Sequence, residues 1–162
     1  MRTLRLGLTA ALAAALLLVG TGTGLAATSQ LARNGHERFA LITPALKAGT
    51  QVRATGVLVA RGSATEPRPP RIWLHFARGS IRLVLTTTSS SASPPNPANC
   101  RFTEVYHGDY QLTAGLRGYH GARGSGTFVT NIAGRLVRSH GACLTQLASL
   151  RQTTITTGTL RW

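Results

Sequence analysis

The chain has 162 residues, with 18 Lys or Arg against 4 Asp or Glu, a formal charge of +14, 18 glycines and two cysteines. This length excludes two well-filled cores, and four carboxylates are too few to build a carboxylate-rich metal centre readily. Seventeen of the 18 basic residues are Arg and no two are consecutive, so non-specific adhesion to anionic surfaces is expected ahead of specific nucleic-acid binding.

Residues 1–27 read as a cleaved signal peptide. Arg2 and Arg5 precede an apolar run over 6–19, and Gly24-Leu25-Ala26-Ala27 supplies small residues for cleavage. The run falls short of the about 20 apolar residues of a membrane helix, and the glycines and threonines after it differ from a basic stop-transfer flank. A secreted chain with no membrane span in its mature part is therefore expected. Residues 28–36 are assigned to a flexible N-terminus and 37–162 to one domain.

The mature chain is patterned with period two. Residues 39–46 and 52–60 are strand candidates. The stretch 62–71 holds Pro67, Pro69 and Pro70 and reads as a loop, because proline cannot donate to a sheet ladder. Ile72, Leu74 and Phe76 alternate with Trp73 and His75, and Ile81, Leu83 and Leu85 with Arg82, Val84 and Thr86, on either side of Ala77-Arg78-Gly79-Ser80, which predicts a β-hairpin. A second loop is expected over 88–99, where Ser89 to Ser91 and Pro94, Pro95 and Pro97 cluster. Further strands are predicted over 100–106, 110–114, 128–132, 136–139, 144–150 and 153–162. No segment carries a capped helical stripe, so the expectation is seven to nine short antiparallel strands in a barrel or sandwich.

Two local features qualify this pattern. Ala-Arg-Gly-Ser recurs from Ala60, Ala77 and Ala122 at unequal spacing, which argues against a solenoid and for reuse of one turn, with glycine supplying positive φ. Cys100 and Cys143 form an even pair without C-x-x-C spacing. In an oxidising compartment such a pair forms a disulfide, with roughly 3–4.7 kcal/mol of stabilisation in the chain-entropy model.

The five glycines from Gly115 to Gly126 match neither a Walker loop nor a Rossmann fingerprint. With Cys100, Gly108-Asp109-Tyr110-Gln111-Leu112-Thr113, Tyr119, Gly121-Ala122, Gly124 and Gly126, and with Gly79 to Leu85 before them, they resemble a family of small secreted bacterial proteins similar to the allene oxide cyclase and dirigent barrels. Leu116 and Arg117 depart from the threonine and glycine usual in that run. The resemblance implies an all-β fold, a single closed antiparallel β-barrel of about eight strands with a central cavity, and makes a homo-oligomer plausible. No cyclase or dirigent cavity residue is matched one by one.

Lumen positions are expected at Ile72, Leu74, Phe76, Ile81, Leu83, Leu85, Tyr110, Leu112 and Phe128. The functional expectation is a non-catalytic, secreted barrel that binds a small apolar or amphipathic ligand through Phe76, Leu83, Phe102, Tyr106, Tyr110 and Leu112, with no cofactor and no metal. One alternative is an isomerase or cyclase with Glu104 as a lumen carboxylate, since Cys100, Phe102, Glu104 and Tyr106 share one strand face. The other is an Arg-rich binder of anionic polymers or surfaces, which requires arginines from separate strands to gather on one side.

Overall fold

The computed structural model describes residues 33–162, apart from Lys47 and Pro69; the signal-peptide assignment lies outside them. Eight strands run β1 (Asn34–Thr43), β2 (Thr50–Gly56), β3 (Ala60–Arg68), β4 (Arg71–Phe76), β5 (Gly79–Ser93), β6 (Arg101–Arg117), β7 (Gly124–Ser139) and β8 (Ala142–Arg161). Each pairs antiparallel with its sequence neighbour. β8 also pairs with β1 over ten residues, from Asn34↔Arg161 to Thr43↔Gln152, which closes the ring. No helix occurs among the described residues.

Period-two patterning supplies the interior. Phe39 and Leu41, Val52 and Ala54, Ile72, Leu74 and Phe76, Ile81 and Leu83, Tyr110 and Leu112 belong to one buried cluster. Every lumen position expected from the sequence is buried except Leu85, which is half-buried. One end of this ring is sealed by aromatic side chains. Phe39, Phe76, Tyr119 and Trp162 follow one another with ring centroids 6.5, 5.9 and 5.8 Å apart, and Leu58, Ala122 and Leu160 fill in beside them.

Several expected boundaries move. β1 begins at Asn34, inside the stretch 28–36 assigned to a flexible N-terminus and ahead of the candidate strand over 39–46, and the candidate strand over 52–60 is two strands with a turn between Gly56 and Ala60. The expected loop over 62–71 is mostly β3. Pro67 is accommodated because the ladder with β4 is irregular between Thr65 and Arg68, and a bulge is one of the few sheet positions that tolerates proline. The loop expected over 88–99 is likewise shortened from its start, because β5 continues to Ser93 against β6. The glycine-rich run is divided between the end of β6, a turn and the start of β7.

The ring is uneven in height. β4 pairs with β5 only from Gly79 to Val84, and β1 with β8 only from Gln152 to Arg161. The rest of β5 and β8, with the adjoining parts of β6 and β7, projects past the short strands as a four-stranded extension. The Cys100–Cys143 disulfide, with Cα atoms 5.4 Å apart, ties the start of β6 to the start of β8. Leu136 N–H donates to the Cys100 carbonyl at 2.9 Å and Arg138 to the Ala98 carbonyl, so the tip is fastened to the β5–β6 connection.

Candidate functional site

The most unusual interior row starts from glycine. Across β6, β7, β8, β1 and β2 the register aligns Tyr110, Gly126, Gly158, Glu37 and Gly56. A Cβ on Gly126 would lie 2.8 Å from the Tyr110 ring, and one on Gly158 would lie 2.6 Å from its hydroxyl. Only two missing side chains let Tyr110 lie across β7 and β8 towards β1. The result is a carboxylate and a phenol in one apolar interior.

Glu37 is 2 % exposed and Tyr110 is 1 % exposed. Glu37 Oε2 accepts a 2.8 Å hydrogen bond from Leu58 N–H in the β2–β3 turn. Glu37 Oε1 and the Tyr110 hydroxyl have no hydrogen-bond partner among the described residues. Burial pushes the Glu37 carboxyl up to about 7, against the opposing pull of the Leu58, Arg38 and Thr55 backbone donors. Burial, then the Glu37 charge, pushes the Tyr110 hydroxyl up to about 12. Together they form a proton-holding pair sealed from solvent. Sequence reading overlooks it, although Glu37-Arg38-Phe39-Ala40-Leu41 already puts the carboxylate in phase with two core residues.

The opposite end of the ring is open and polar. A pocket of about 60 Å³ there is lined by Leu41, Thr43, Thr50, Glu66, Gln152 and Thr154, among others. The Thr43 and Thr50 hydroxyls are 2.7 Å apart, and those of Thr130 and Thr154 are 2.8 Å apart. The pocket has room for a small polar group and no more.

The six expected ligand residues divide between two places. Phe76, Leu83, Tyr110 and Leu112 are packed into the buried cluster. Phe102 and Tyr106 are half-buried on the extension, where Phe102 lies over Gly134, its register partner. Glu104 stands between them, and the Tyr106 hydroxyl donates to Glu104 Oε2 at 2.7 Å, which raises the Tyr106 pKa. Glu104 thus shares the parity of Tyr110 but sits on the extension, away from the sealed interior. Ile132, half-buried and paired with Glu104, completes this apolar and polar strip.

Compared with known proteins, the chain matches no family model, no curated protein and no solved structure at a significant level.

Proposed function

We propose that the protein is an exported barrel that binds a small amphipathic ligand at its open end, without catalysis. The observation that carries this reading is the continuation of the inner face past the ring. Phe102, Tyr106 and Ile132 are half-buried there, on the face that lines the ring below. They follow on from the Thr43, Thr50, Glu66 and Gln152 pocket through the inward row of β8. An apolar body would lie along the extension, and a head group with hydrogen-bond donors would reach the threonine hydroxyls and Glu66. The disulfide supports an oxidising compartment. Membership of the allene oxide cyclase and dirigent superfamily stays a proposal that rests on the glycine-rich run.

Titration with Nile red, a neutral probe indifferent to the charge of the chain, tests the reading. Blue-shifted emission saturating at one probe per chain is expected, and Ile132→Asp removes it. Emission equal in wild type and variant contradicts the site.

A second reading has one observation behind it. The unpartnered Glu37 Oε1 and Tyr110 hydroxyl are the groups a proton-transfer isomerase would need inside the ring. In that reading the lumen carboxylate is Glu37 and not Glu104, and the sealed end must open to admit substrate.

A further inference from the structure

We propose that the sealed end of the ring docks on an anionic lipid surface. Antiparallel order brings the start of β1, the β2–β3, β4–β5 and β6–β7 turns and the end of β8 to that end. The Ala-Arg-Gly-Ser repeat now acquires a place. Its three copies stand at the entries of β3, β5 and β7, all at this end. Of the three glycines only Gly79 has a positive φ, at 149°. Those of the other two copies admit a close backbone neighbour, the His75 carbonyl at Gly62 and the Thr159 carbonyl at Gly124. Each copy presents one exposed arginine, Arg61, Arg78 or Arg123.

Other chain segments add to this charge. Arg33 stacks on Trp162 at 5.9 Å and exchanges backbone hydrogen bonds with it. Arg161 pairs with Arg123, and Arg117 with Gly79. Burial raises the Tyr119 pKa while the Arg78 and Arg33 charges pull it down, so both guanidiniums act on one central phenol. No carboxylate is exposed at this end among the described residues. Glu37 is buried, Glu66 lines the open mouth, Glu104 stands on the extension, and Asp109 lies mid-strand opposite Thr127.

Two apolar side chains project from the same end. Val59 in the β2–β3 turn is 82 % exposed and Leu116, next to the β6–β7 turn, is 52 % exposed. Arginines around protruding aliphatic tips match the interface of an anionic bilayer, where guanidiniums meet phosphates and the tips enter the headgroup layer. A soluble polyanion would use the arginines and leave the tips idle. Docking in this sense also turns the ligand mouth away from the membrane.

Co-sedimentation of the full chain with vesicles tests the proposal, wild type and variants being prepared identically so that the apolar N-terminal run contributes equally. Binding to vesicles of phosphatidylglycerol and phosphatidylcholine in equal parts is expected to exceed binding to phosphatidylcholine alone. Arg78→Gln with Arg161→Gln lowers it by about 30-fold. Arg53→Gln with Arg151→Gln, which removes the same charge from the exposed wall, lowers it clearly less. Val59→Ser with Leu116→Ser also weakens it. Equal losses in the two arginine pairs overturn the proposal, leaving net charge as the cause. Unchanged binding in the Val59 and Leu116 variant also overturns it, in favour of a soluble polyanion. Circular dichroism melts confirm that each variant is folded.

Discussion

The Tyr110 hydroxyl lies in the field of the Glu37 carboxylate, in an interior where neither it nor Glu37 Oε1 has a hydrogen-bond partner among the described residues. Two glycines of neighbouring strands make that approach possible. The arrangement spends folding stability on a polar pair, and its cost depends on pH.

Glu37 titrates near 7 in the folded ring against an ordinary 4.5. Between these values the folded state holds a proton that the unfolded chain has released, so stability is full below about 4.5 and falls as pH rises through 7. The loss is of the order of 3 kcal/mol. Glu37→Gln carries no such dependence. The melting temperature of wild type relative to Glu37→Gln should therefore drop by about 10 °C between pH 4.5 and pH 8. Parallel melting curves across that range would contradict a carboxyl sealed from solvent with its Oε1 unsatisfied.

Tyr110→Phe removes a buried hydroxyl that has no partner. Deleting an unsatisfied group of this kind is neutral or stabilising, by about 1 kcal/mol. Denaturant unfolding at pH 8 should show the variant at least as stable as wild type. A loss of 2 kcal/mol or more would mean that the hydroxyl is satisfied.

Gly158→Ala places a methyl against the Ser125 carbonyl and 2.6 Å from the Tyr110 hydroxyl. Overpacking at this crossing should cost about 3 kcal/mol, measured by the same unfolding experiment. Gly141→Ala also carries a backbone strain penalty, since Gly141 has φ of 81°, but among the described residues nothing lies within 4 Å of its Cβ. It should cost clearly less.

Reduction of Cys100–Cys143 should destabilise the chain by about 3–4 kcal/mol, and the effect should be local before it is global. The disulfide fastens the extension, whose outer strands have one neighbour each. Hydrogen exchange on reduction should rise first over residues 94–107 and 136–150 while the β1–β4 amides stay protected. Uniform acceleration would show that extension and ring unfold as one unit.

The parts of the fold that were legible in the sequence are those with one wet face and one dry face. Residues 72–85 alternate cleanly because Ile72, Leu74, Ile81 and Leu83 pack inward while Trp73 and Arg82 stack outside at 5.7 Å. Residues 86–93 are exposed throughout, so no alternation marks them as strand, and their serines and the prolines after them imitate a loop. Pro67 hid β3 because a bulge that accepts proline leaves no sequence signature. That Phe102 and Tyr106 share one half-buried face of β6 followed from parity alone. Glu37 did not, because a carboxylate near an expected domain boundary reads as solvated until its two glycine neighbours across the ring are known.

Native mass spectrometry of the purified protein tests the central claim most directly. One small molecule retained per wild-type chain and lost from Ile132→Asp is expected, with the chain mass two hydrogens lower than the reduced form. A bare wild-type chain, or an adduct retained equally by the variant, would contradict a ligand held between the open end of the ring and its extension.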